Sequence, residues 1–136
     1  IKDTLKWLDA GGSLIVLHSE QEDLLKKLGF DVQGHLKRDA DLAPLQPATL
    51  LHEVKTVAFP DTERFLRWPA SGVALFGDLK PAVVLARRGK GRIYAVATPA
   101  VMDNATLAEA DNARFVVQLV RDSFPGNGKI YFNEFH

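Results

Sequence analysis

Gly89-Lys90-Gly91-Arg92-Ile93-Tyr94-Ala95-Val96-Ala97-Thr98-Pro99, running on to Asp103-Asn104 and Asp111-Asn112, decides the fold of this chain. In order it reads as a turn, a buried strand, a loop, a short capped helix, a second cap and a long helix. The run Ile93 to Ala97 is continuously apolar, as expected of a strand covered on both faces. A second apolar run, Ala82-Val83-Val84-Leu85-Ala86, lies on the other side of the turn from Arg87 to Arg92, which predicts an antiparallel hairpin. The Asp-Asn pairs fall where a strand empties into a loop, and open α/β sheets place their ligands there.

The N-terminal third repeats this helix and strand grammar. Ile1, Leu5 and Leu8 share one helical face with Trp7 beside them, and Gly11-Gly12 ends that helix. Ser13 to Leu17 is a short apolar strand. Ser19-Glu20-Gln21-Glu22 has capping-box spacing, with Ser19 as the cap. Leu24, Leu25 and Leu28 then form a stripe, Lys26-Lys27 suit the negative end of the helix dipole, and Gly29 stops it.

Residues 30 to 70 carry a weaker pattern. Phe30-Asp31-Val32 reads as a short strand, and Asp39 to Pro47 as a loop broken by Pro44 and Pro47. Thr49 to Leu51 and Val54 to Phe59 read as strands. Asp61 to Trp68 reads as a short helix or turn whose Phe65, Leu66 and Trp68 form local core, with a partner-facing patch as the other possibility. Beyond Val73 to Phe76, a further strand, the last helix buries Phe115, Val116, Leu119, Val120 and Ser123, widened by Val117 and Phe124. Lys129 to Phe132 follows a Pro-Gly turn as the closing strand. The element order predicts one α/β domain over residues 1–136, with a mostly parallel sheet and one antiparallel hairpin.

Composition narrows function mainly by exclusion. Seventeen basic residues balance seventeen acidic ones, so the electrostatic footprint of a nucleic-acid binder is absent. The chain has no cysteine, which removes a thiol nucleophile, a thiolate metal site and disulfides. No apolar run reaches membrane-spanning length and no signal-peptide pattern is present. Ile1 falls inside a helical pattern and His136 follows a strand directly, so the sequence reads as a piece of a longer protein.

One polar constellation is expected. If the first, penultimate and last strands run parallel, their ends bring together His18 with Ser19, Thr98 with Asp103 and Asn104, and Glu134 with His136. Glu134 and His136 are two apart on a strand and share a face, so they suit acid–base work or two of the ligands of a metal. Each member also has a plain structural role. Asp103, Asn104, Asp111 and Asn112 are good helix N-caps or loop braces. No nucleophile elbow, Walker loop or dinucleotide fingerprint is present, and the four histidines show no HExxH pairing. The sequence therefore implies no cofactor and no metal set.

The segment Leu5-Lys6-Trp7-Leu8-Asp9-Ala10-Gly11-Gly12-Ser13-Leu14-Ile15-Val16 resembles the helix, double glycine and strand of glutamine-amidotransferase-like domains. Gly89-Lys90-Gly91-Arg92, then Asp103-Asn104, Leu107 and Asp111-Asn112-Ala113-Arg114-Phe115, resembles the bacterial domain-of-unknown-function family 4350. The ending Ile130-Tyr131-Phe132-Asn133-Glu134-Phe135-His136 is similar to that family's closing strand, with Asn133 where an Asp is common. The resemblance implies a three-layer, flavodoxin-like fold of the class I amidotransferase kind. It also implies a bacterial protein anchored by membrane helices outside this sequence, with the domain on the extracytoplasmic side. The amidotransferase cysteine is missing, so amidase chemistry is not implied. Two functions are expected from these residues. One is a non-enzymatic domain binding a partner from a membrane complex, or a small ligand, at the strand ends. The other is a metal-assisted hydrolase, or a sugar-binding domain, built on His18, Asp103, Glu134 and His136.

Overall fold

A computed structural model of the chain describes residues 2–18, 22–33, 40–46, 53–59, 63–78 and 80–123. Four helices are described: α1 (Lys2–Asp9), α2 (Glu22–Lys27), α3 (Asn104–Leu107) and α4 (Asn112–Ser123). The strands are β1 (Ser13–Leu17), β2 (Asp31–Gln33), β3 (Ala40–Leu42), β4 (Val57–Phe59), β5 (Arg64–Arg67), β6 (Val73–Gly77), β7 (Pro81–Arg88) and β8 (Gly91–Val96). A 3-10 turn, Pro99–Met102, follows β8. Among the described residues no helix is long and apolar enough to cross a membrane.

The main sheet has the order β1-β8-β7-β6, with smaller two-stranded sheets β2-β5 and β3-β4. Side chains alternate across the main sheet as the pleat requires. Tyr94, Val96, Val83, Ile15 and Leu17 join one core cluster with Phe115 and Leu119 of α4. Ile93, Ala95, Val84, Ala86, Leu14 and Val16 join a second with Leu8 of α1 and Leu24 and Leu25 of α2. Helices therefore cover both faces, which is why the strand sequences are apolar throughout.

The expected hairpin is present, with Arg88 opposite Gly91 and Val83 opposite Val96. Gly89 has φ 57° while Lys90 stays out of the positive-φ region, the pattern of a type II′ turn. This tip seats directly on the end of α1. A Cβ on Gly91 would lie 2.0 Å from the Leu8 carbonyl oxygen, and one on Gly89 would lie 2.8 Å from that of Asp9. Lys90 N–H donates to the Asp9 carbonyl and Arg92 N–H to that of Gly12. The Gly11-Gly12 and Gly89-Lys90-Gly91 signals thus mark one backbone junction.

Several expectations need correction. Among the described strands only β1 and β8 pair in parallel; the other ladders are antiparallel, so this part of the sheet is mixed rather than mostly parallel. Residues 64–67, expected as helix or turn, form β5, which pairs with β2. There Phe65 is buried against Phe30, and Leu66 and Trp68 are exposed. Ala40–Leu42, expected as loop, pairs with β4. Val117 is 47% exposed rather than part of the buried face of α4. Ser19, the strand expected at Thr49 to Leu51, Phe124, the closing strand at 129–132, Glu134 and His136 lie outside the described residues.

Candidate functional site

Parallel pairing of β1 with β8 brings two strand ends to one edge, where Leu17 stands opposite Val96 and His18 N–H donates to the Val96 carbonyl. The antiparallel strands bring two further positions there. Ala97 N–H donates to the Ala82 carbonyl at the start of β7, and β6 ends at Gly77, next to Asp78. The edge thus gathers His18, Thr98 and Asp78 from three different strands.

The polar side chains along it bond one another. His18 Nδ1 lies 3.1 Å from Glu63 Oε2, and both side chains are partly accessible. Arg64, the next residue, is only 5% exposed. Its Nε and one terminal nitrogen donate to the two Asp78 oxygens, each at 3.2 Å, and its other terminal nitrogen donates to the Glu63 carbonyl. A bidentate carboxylate offsets the desolvation of a buried guanidinium, and the Phe59 ring beneath it, 6.0 Å from the guanidinium carbon, adds a favourable quadrupole. Thr98 is fully buried, and its hydroxyl accepts Ala100 N–H at 3.2 Å, capping the 3-10 turn. Among the described residues no group of three or more His, Asp or Glu side chains is placed to hold a metal.

The two Asp-Asn pairs behave differently. Asp103 and Asn104 are exposed. Asp103 occupies the cap position of α3, but its backbone carbonyl rather than its side chain receives Thr106 and Leu107 N–H. The expected side-chain cap is therefore not made.

Asp111 and Asn112 direct their side chains to a distant segment instead of the first turn of α4. Asp111 Oδ2 accepts Lys55 N–H at 2.8 Å and Thr56 N–H at 3.3 Å. These backbone donors are the main reason that its carboxyl sits below the ordinary value of 3.8. Asn112 is fully buried and pairs with Ala58 like a strand residue, accepting its N–H at 2.7 Å and donating to its carbonyl at 2.9 Å. A further bond reaches the Val101 carbonyl. Glu53 and Ala110, with φ of 63° and 44°, lie close by in sequence. Left-handed geometry in such residues costs energy that surrounding bonds must offset, and the Arg114 bond to the Glu53 carbonyl and the Asp111 bonds supply them. Asp111 thus holds the N-cap position of α4 through its backbone carbonyl, which accepts Phe115 N–H, while the side chains of Asp111 and Asn112 act as braces.

Of the sequence-predicted site, His18 and Thr98 reach the strand-end edge, and Asp103 and Asn104 stand exposed at the start of α3 beyond it. Glu63, Arg64 and Asp78 belong to the edge and carry no motif. Their one sequence signal is a charge directly abutting an apolar run, at Arg64-Phe65 and at Gly77-Asp78.

Solved structures with a similar fold include the mmIFT52 N-terminal domain, with TM-score 0.69 and 13% identity over 95% of this chain and 72% of that one. The cytoplasmic protein STM1381 from Salmonella typhimurium LT2 matches with TM-score 0.63 and 13% identity over 87% of this chain and 58% of that one. The exo-beta-1,4-mannosidase Op5Man5 from Opitutaceae bacterium strain TAV5 matches with TM-score 0.57 and 15% identity over 88% of this chain, which spans only 22% of that enzyme. No curated protein sequence matches the chain. The family model described as a domain of unknown function (DUF4350) matches residues 1–120, and the chain belongs to that family.

Proposed function

We propose that this chain is a non-enzymatic binding domain whose ligand surface is the edge formed by His18, Glu63, Arg64, Asp78 and Thr98. The observation that carries this is mutual satisfaction. His18 is bonded to Glu63, Arg64 to Asp78, and the Thr98 hydroxyl is buried as a cap. A hydrolase needs a nucleophile or metal-bound water within reach of its base. Among the described residues, the Thr98 hydroxyl beyond the end of β8 is committed to capping the 3-10 turn. A paired edge of this kind offers fixed donors and acceptors to a polar ligand at little ordering cost.

Helices on both faces of the sheet and the parallel β1–β8 pair support a three-layer, flavodoxin-like arrangement for the finer fold. Family membership supports the further reading of an extracytoplasmic domain of a membrane-anchored bacterial protein that contacts other proteins of a membrane complex. Fold likeness to a mannosidase, and to a beta-galactosidase from Rahnella sp. R3, favours one small-ligand class, neutral sugars.

Titration of isotope-labelled protein with β-1,4-mannobiose and with galactose, followed by amide chemical shifts, tests the surface. Saturable shifts at His18, Glu63, Arg64 and Thr98 are expected. Shifts confined to another face would contradict the assignment of the edge, and no shift with either sugar would remove neutral sugars as the ligand class.

A further inference from the structure

The chain contains two tryptophans. Trp7 and Trp68 are 45% and 40% exposed, more than is usual for so large an apolar side chain. Both stand at the end of the sheet opposite His18. Trp7 lies against Gly12, whose carbonyl receives Arg92 N–H where β8 begins. Trp68 lies against Gly72, in a turn that Ser71 ties to Arg87 at the end of β7. Gly72 faces both Trp68 and Val84, and Val84 shares one core cluster with Leu8, the residue after Trp7, so both indoles stand on the same side of the sheet. Val73, 41% exposed, starts β6 at this end.

The exposed cations Lys6, Arg87 and Lys90 stand at this end of the sheet. Two acids at this end are paired, Asp9 with Arg88 at 3.1 Å and Asp31 with Arg67 at 3.9 Å. The whole chain has a formal net charge of zero, so the basic excess is local to this end.

We propose that this end face docks on an anionic lipid bilayer, with the two indoles at headgroup depth and the three cations among the lipid anions. Indole combines an apolar body with one N–H and prefers the membrane interface, while Lys and Arg are drawn to anionic headgroups. A bilayer fits better than an acidic protein because these groups come from the ends of separate elements: a helix end, two strand ends and a hairpin. The surface is distinct from the His18 edge, so failure of either assignment leaves the other standing.

Tryptophan fluorescence of the purified chain reports on this face alone, because both indoles belong to it. With vesicles of phosphatidylcholine and phosphatidylserine, a blue shift and quenching by brominated lipid are expected, weakening as salt is raised. Vesicles of phosphatidylcholine alone leave the spectrum unchanged. Joint Arg87→Glu and Lys90→Glu substitution, at two exposed positions, weakens binding by at least about tenfold. The proposal is overturned by an unchanged spectrum with phosphatidylserine, by equal binding to neutral vesicles, or by full binding of the charge-reversed variant. Binding to polyglutamate without binding to vesicles would also overturn it, in favour of an acidic protein.

Discussion

The dipeptide Asp-Asn occurs twice, at 103–104 and at 111–112, and the two copies do unrelated things. The first sits in solvent, and only its backbone serves α3. The second is half-buried at Asp111 and fully buried at Asn112, and ties α4 to the segment 55–58. The difference lies in what faces each copy. Lys55 to Ala58 presents N–H and C=O groups that need partners away from water, and a buried amide can both donate and accept. Identical residues acquire a role from the groups they meet, and those groups are about fifty positions away in sequence.

Substitutions separate the two copies in a graded order. Asn112→Ala leaves the Ala58 N–H and carbonyl buried and unpaired, and is expected to cost about 2–4 kcal/mol in urea unfolding. At the other end of the same helix, Tyr94 donates its hydroxyl to Asp122, which Arg92 also contacts. Tyr94→Phe is expected to cost about 1–2 kcal/mol. Burial, and then the Asp122 carboxylate, hold the Tyr94 phenol well above its ordinary value of 10. A raised value in the folded state contributes stability that is complete below pH 10 and is lost as pH rises beyond it. That alkaline loss disappears in Tyr94→Phe.

Asp111→Asn is expected to lower the urea midpoint by less than Asn112→Ala does. Its signature is the pH profile. A depressed carboxyl contributes stability that is present above pH 3.8 and is lost as pH falls through the lower folded-state value. The variant loses that acid-limb component, which an unfolding series from neutral to acid pH would reveal. Asn104→Ala, with no buried group to abandon, is expected to stay within about 0.5 kcal/mol of the wild type. A cost for Asn104→Ala equal to that of Asn112→Ala would erase the distinction between the two pairs.

Local patterns made part of this molecule legible. The hairpin, β1 and the apolar stripe of α2 follow from periodicity and turn chemistry, which are properties of neighbouring residues. The strand at Arg64–Arg67 was not legible because Phe65 alternates with polar or exposed positions over only four residues. So short a run does not distinguish a strand from a turn. Mixed sheet direction was hidden for a similar reason, since β6, β7 and β8 are joined by tight connections whose pairing depends on register. The position of His18 and Thr98 at the strand-end edge was legible because strand ends are predictable places. The placement of Glu63, Arg64 and Asp78 at this edge was not legible because their pairing crosses from β5 to the ends of β1 and β6, and no spacing rule encodes such a contact.

A hydrolysis panel separates binding from catalysis at the His18 edge. Wild-type protein and Glu63→Gln are incubated with nitrophenyl mannosides, galactosides, esters and phosphates, with and without added zinc or magnesium. Neither protein is expected to exceed the protein-free control. Turnover by the wild type that Glu63→Gln abolishes would contradict binding without catalysis.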